Sequence, residues 1–211
     1  MSTADPVISN ESNLAASPRQ QGAGLVNAAE AVKSLAYLTV NGGRPKAELG
    51  DSATGEFTFT FEIHNFGDAA QTYVLSSSLL TEAVVEQYGE YFMAGYETRL
   101  SGNVSFDQDR VTVAAGETVT VSVSISLSGL DKTMFAQYWE NGGFVEGFVY
   151  LENTDEEGVD LNLPYTGFYG DWTEAPMFDS AYWYDNSFWG EGSGWPEGDE
   201  FYHVVWTDLG G

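Results

Sequence analysis

A chain of 211 residues, 43% hydrophobic and 15% aromatic, is able to bury a core, which argues against global disorder. Its 32 acids against 7 bases give a net charge of −25, a surface that repels phosphate backbones and anionic lipid heads and so argues against a nucleic-acid or membrane partner. No cysteine is present, which removes disulfides, thiolate metal sites and cysteine nucleophiles, and no apolar run approaches the ~20 residues of a membrane span.

All seven bases lie at or before Lys132, and sixteen acids follow from Thr133 onward with no Lys or Arg. That asymmetry suits solubility in an extracellular, cell-wall or salt-rich setting. The N-terminus shows no basic stretch leading into an apolar one, so no signal peptide is expected within these residues.

Residues 1–34 are rich in Ala, Ser and Asn. Leu25, Ala28, Ala29 and Val32 recur at the spacing of a short helix with one buried face. A helix of about nine residues is unstable alone in water, so it must dock on the rest of the chain or on a partner.

Residues 35–170 read as all-β. Phe57, Phe59, Phe61 and Ile63 alternate with Thr58, Thr60, Glu62 and His64. Val119, Val121, Val123, Ile125 and Leu127 alternate with Thr120, Ser122, Ser124 and Ser126, one face aliphatic and the other hydroxyl. Further strands are expected near 37–41, 71–80, 109–114, 144–152 and 159–168. Turn chemistry separates them at Asn41-Gly42-Gly43, Gly50-Asp51-Ser52, Asn65-Phe66-Gly67-Asp68, Ala115-Gly116-Glu117 and Asn141-Gly142-Gly143. About seven short strands without intervening helices predict a β-sandwich of immunoglobulin-like topology. The stretch 81–106 is weakly patterned and fits either an extra strand pair or a long loop. Residues 171–211 hold eleven aromatics and nine acids among many glycines, the composition of a linker or of the start of a further domain.

Ser17 to Val32, SPRQQGAGLVNAAEAV, resembles the closing loop and helix of the catalytic domain in cell-envelope subtilisin-like serine proteases. FTFTFEIHNFGDAAQTY (57–73), NGGFVEGFVYL (141–151) and LPYTGFYGDW (163–172) resemble the fibronectin type III-like domain that follows it in lactocepins and streptococcal complement-cleaving peptidases. The resemblance implies that residues 1–34 end a catalytic domain, that 35–170 form a fibronectin type III-like sandwich, and that 171–211 lead onward. It also implies a protease parent at the bacterial cell surface, acting on protein or peptide substrates, with this chain leaning on the catalytic domain and on later domains. The aromatic group Tyr138, Trp139, Phe144 and Phe148 is expected to form part of that interdomain contact.

The protease mechanism needs a serine, a histidine and an aspartate. The family's Gly-Thr-Ser-Met-Ala and His-Gly-Thr stretches are both missing here, and the only histidines are His64 and His203. His64, on the polar face of a strand before a turn, reads as a capping residue; His203 has no nucleophile beside it. Gly192-Ser193-Gly194 lacks the glycine that a nucleophile elbow needs two residues before its serine, where Glu191 stands. No catalytic residue and no cofactor is therefore expected. Acidic loops such as Asp155-Glu156-Glu157 and Asp199-Glu200 read as solvated, with a structural calcium site as the alternative. The competing function is an independent adhesion or carbohydrate-binding module that stacks sugars on the C-terminal aromatics, including Trp183 and Trp189.

Overall fold

The alternating runs seen in the sequence form the middle of a four-stranded antiparallel sheet. The computed structural model describes residues 1–139 and 141–173. Strand β1 (Ala36–Thr39) pairs with β3 (Glu56–Asn65), β3 with β9 (Thr118–Ser126), and β9 with β7 (Asn103–Phe106). In the central pair Phe61 stands opposite Val121 and Thr60 opposite Ser122. A period of two therefore sends all the large side chains to one face and the hydroxyls to water.

Facing this sheet is a larger one, in the order β2 (Ala47–Ser52), β11 (Leu161–Tyr169), β10 (Gly143–Asn153), β4 (Gln71–Ser77) and β8 (Arg110–Val113). The core lies between the two, with Phe61, Ile63, Val121, Val149 and Leu163 all fully buried. Each such side chain contributes about 1.5–3 kcal/mol on leaving water. The all-β sandwich is thus as expected, with eleven strands among the described residues instead of about seven.

Three of the differences have local causes. Residues 81–106 hold a two-stranded ribbon, β5 (Leu80–Gln87) with β6 (Glu90–Arg99), attached to β10 at the Glu146–Leu80 pair. Its tip turns at Tyr88 (φ 57°) and Gly89 (φ 85°), the positive-φ pair of a tight hairpin. Gly50-Asp51-Ser52, expected as a turn, lies inside β2, because parallel pairing with β11 past an irregularity at Thr166–Phe168 supplies hydrogen bonds from outside the segment. A helix, α3 (Gly129–Tyr138), interrupts the strands where none was expected. Only Asp131 and Phe135 of α3 are buried, so it carries no apolar stripe that periodicity could reveal.

Helix α3 is held by its start. The Ser128 side chain accepts from the Asp131 N–H at 3.1 Å, and Asp131 accepts in return from the Ser128 N–H at 2.9 Å, a reciprocal cap. Asp131 also accepts from the N–H and hydroxyl of Ser101, at 2.8 and 2.9 Å. Burial alone would raise the Asp131 carboxyl, but these donors outweigh it and hold the group below its ordinary range.

The outer face of β10 and β11 is covered as well. Residues 1–27 run across it, and Met1–Gly170 forms one compact unit, so the N-terminal stretch does not stand apart from the sandwich. The Asn162 N–H donates to the Ser2 carbonyl at 2.8 Å, the Asn162 amide reaches the Ala4 carbonyl, and the Leu38 N–H donates to the Ser2 hydroxyl at 3.1 Å. The backbone of Asp5 pairs in both directions with that of Leu25. Beside that pair, Gly24 has φ 114°, and a Cβ there would stand 2.2 Å from the Asp5 carbonyl oxygen, so only glycine lets the two segments meet.

Removing the ring at the centre of the sandwich tests this account. Phe61→Ala should destabilise the chain by about 3–5 kcal/mol in urea denaturation. Thr60→Ala, on the opposite face of the same strand, should cost under about 1 kcal/mol.

Candidate interdomain surface

The N-terminal stretch meets the outer face of the larger sheet through one apolar and one charged contact. Leu14 and Ala15 pack with Leu80, Phe148 and Tyr150. Next to them begins a single-turn helix, α1 (Pro18–Gln21), with Ser17 as its N-cap and Pro18 in the first turn, where its missing N–H costs nothing.

Ser17 is buried and works in two directions. Its N–H donates to Glu97 at 2.7 Å, and its hydroxyl donates to Glu146 at 2.9 Å. Arg19 Nε donates to the same Glu146 oxygen at 3.1 Å, while its terminal nitrogen reaches Glu82 at 3.0 Å. The guanidinium also lies 3.7 Å from the centre of the Phe144 ring, a cation–π contact. Burial pushes the Glu146 carboxyl up; Arg19 and Ser17 offset this in part, and the net direction remains upward. For Arg19, burial works against the charge, but Glu146 and Glu82 prevail and raise it further. One guanidinium thus serves two carboxylates.

Of the aromatics expected at a domain contact, Tyr138 and Trp139 sit half-buried at the end of α3, with their rings edge-on at 6.0 Å. Tyr138 also meets Tyr91 of the ribbon at 4.9 Å, and Trp139 meets Phe135 at 5.3 Å. Phe144 is half-buried, edge-on to Phe168 at 5.6 Å. Phe148 differs from the other three: it is fully buried and packs with Ala15 beneath the N-terminal stretch, the segment whose sequence resembles the end of a catalytic domain. Tyr91, Phe168 and Arg19 join the other three. Sequence reasoning missed them because pairing in β5–β6 and β10–β11 brings them there from distant positions.

The second apolar feature is the helix α2 (Ala28–Lys33). Asn27 caps it by accepting from the Glu30 N–H at 3.0 Å, yet none of its residues is buried. Val26 is 90% and Val32 88% exposed, and Leu25 is exposed too. The spacing that predicted one buried face is present; the described residues provide nothing to bury it. The ribbon tip likewise exposes Tyr88 and Phe92. Apolar side chains grouped in the open commonly mark contact surfaces.

His64 lies between two threonines, its Nε2 2.8 Å from the Thr39 hydroxyl and its Nδ1 2.9 Å from that of Thr118, with Tyr37 stacked on the ring at 4.7 Å. Glu62 approaches at 3.5 Å, from the Thr39 side of the ring. Each ring nitrogen thus meets a threonine hydroxyl from a neighbouring strand, Thr39 of β1 on one side and Thr118 of β9 on the other, a cross-strand bonding arrangement. Asp155, Glu156 and Glu157 form an exposed turn between β10 and β11, and Asp155 accepts from the Glu157 N–H at 3.1 Å. Among the described residues, no three His, Asp or Glu side chains gather as a metal-holding group. His203, Gly192-Ser193-Gly194, Asp199-Glu200, Trp183 and Trp189 lie outside the described residues.

Comparison with known proteins places these features in context. Residues 47–166 match a family described as an Fn3-like domain. The chain is 32% identical over 186 residues to a PI-type proteinase of Lactococcus lactis subsp. cremoris, a match covering 85% of this chain and 9% of that protein. It is 30% identical over 189 residues to a C5a peptidase of Streptococcus pyogenes serotype M18 (strain MGAS8232), covering 85% of this chain and 15% of that protein. The chain therefore spans between a tenth and a sixth of these relatives. Among solved structures, the PapD-like domain 7 of human CEP192 aligns at TM-score 0.45 and 14% identity, over 65% of this chain and 87% of that one.

Truncating the shared cation should expose its weight. Arg19→Ala leaves Glu146 buried without its counter-charge, and a loss of about 3–5 kcal/mol in unfolding free energy is expected. Lys33→Ala, which removes only the exposed pair with Glu30, should change stability by less than about 1 kcal/mol.

Proposed function

This chain belongs to the Fn3-like domain family, and we propose that it is a non-catalytic accessory sandwich of a secreted, cell-wall-associated subtilisin-like serine endopeptidase. Its task is to seat the catalytic domain, hold it at a set angle, and help shape access of protein substrates to it.

The observation that carries this reading is the contrast within the N-terminal stretch. Residues 1–27 are stitched to the sandwich by buried hydrogen bonds, yet α2, which directly continues them, holds its apolar side chains in the open. Six residues of helix do not persist in water without a packing partner. The resemblance of 17–32 to the end of a catalytic domain supplies that partner, and relatives named as a proteinase and a peptidase, both far longer than this chain, supply the parent. A stretch bonded to the sandwich on one side and inserted into a neighbour on the other makes a stiff joint. The half-buried aromatics Tyr138, Trp139 and Phe144, with Arg19 over the last, offer a second area for contact.

Two results are expected. The purified chain should hydrolyse neither casein nor a peptide library at neutral pH; cleavage abolished by a serine-protease inhibitor would overturn the accessory reading. Val26→Asp combined with Val32→Asp should leave the chain's own stability within about 1 kcal/mol, because neither side chain is buried in it. In the full-length parent the same pair should lower the melting temperature of the catalytic domain and the yield of active protease. A parent indifferent to both substitutions would show that α2 has no partner there.

A further inference from the structure

The charged contact beneath α1 is out of balance. Strand register puts Glu82 directly opposite Glu97 in the ribbon, and Glu146 opposite Leu80 two residues away, so the three carboxylates share one face of the sheet. From α1, Arg19 brings the only cation bonded to any of them among the described residues, and it bonds Glu146 and Glu82. Glu97 is 2% exposed and Glu146 is fully buried. Among the described residues, neither Glu97 Oε2 nor Glu146 Oε1 meets a donor.

The two buried carboxylates are not equivalent. Glu146 receives Arg19 and the Ser17 hydroxyl on its other oxygen. Glu97 receives backbone N–H groups, that of Ser17 at 2.7 Å and its own, and no cation among the described residues. An ionised oxygen buried without a donor is costly, and taking up a proton removes the charge at once. We propose that Glu97 is a proton-binding site that latches the N-terminal stretch onto the sandwich, tight when its carboxyl is protonated and loosened when it ionises.

The charges around Glu97 pull in both directions. Glu82, opposite it on β5, opposes a further negative charge, and Glu146 on β10 shares the same face. Arg19 on α1 favours one, but is bonded to those two acids. Beyond Glu146 stand the phenols of Tyr150 on β10 and Tyr165 on β11, both held protonated by burial, with Arg99 of β6 acting on Tyr150. In agreement, burial raises the Glu97 carboxyl above its usual 4.5, and the Ser17 N–H only partly offsets this.

The direction follows from linkage. The proton is held more tightly in the docked state than after release, so docking is strongest at acid pH. It weakens as pH climbs from 4.5 through the raised value, by up to about tenfold per pH unit for a single proton. This does not depend on what covers α2.

The test is residue-resolved hydrogen exchange of the Ser17 amide in the full 211-residue chain between pH 5 and 8, corrected for the intrinsic pH dependence of exchange. Protection should fall as pH rises in the native protein. In Glu97→Gln, whose carbonyl still accepts from Ser17 and whose amide carries no charge, the fall should be shallower, with Glu146 left to titrate in the same contact, and protection should exceed the native value at pH 8. Native protection that does not change with pH, or an equal slope in the variant, overturns the latch. Carbon-detected titration of the Glu97 carboxyl in the unmodified chain gives an independent reading. A midpoint well above 4.5 supports the proposal, and one at or below it overturns the proposal even if the variant fails to fold.

Discussion

Strand β10 is dry on both faces, and most of what is unusual in this molecule follows from that. Val145, Val149 and Leu151 face the opposing sheet, as the inward residues of any sandwich strand do. Glu146 and Phe148 point the other way and are equally shielded. A sandwich strand ordinarily keeps its second face in water. Here that face would expose a phenylalanine and would give a carboxylate no reason to be buried, so the N-terminal stretch is needed to close it. On the inward side of the same strand Gly147 admits no side chain, since a Cβ there would lie 2.1 Å from the Ser78 carbonyl oxygen.

Closing the face with a charged contact has an energetic consequence. Arg19 is one of seven bases set against 32 acids, and it is placed where its charge is least screened. A buried ion pair gives little net stability relative to an apolar one, but breaking it is costly, so it selects one docked position over others. For an accessory domain, position is the useful output. The capped start of α3, held by Asp131 against Ser101, fixes Tyr138 and Trp139 in the same manner. The result is a sandwich that carries a few exposed apolar groups.

Membership in the Fn3-like family and kinship to much longer proteinases were legible in the residues because they reside in strand sequences. The run Asn141 to Leu151 was recognisable as a motif, and a strand was legible near 144–152. What covered its outer face was not legible. Residues 1–27 carry no period of their own, and their hold on the sheet depends on single atoms of Ser2, Ala4, Ser17 and Arg19. The depth of Phe148 beneath that stretch was not legible for the same reason: alternation tells inner from outer, not outer from exposed.

Local alternation and turn residues by themselves determined the all-β class and the strands β3 and β9, because those properties depend on neighbours in the chain. The tertiary structure alone decided the helix α3 among the strands, the parallel pairing of β2, and the grouping of Arg19 with Glu82, Glu97 and Glu146, and it chose the ribbon of β5 and β6 over a long loop. The parallel pairing and the charged grouping are set by partners dozens of residues away. The free energy that selects them, from desolvated charge, buried backbone and closed apolar faces, exists only once the chain has folded back on itself.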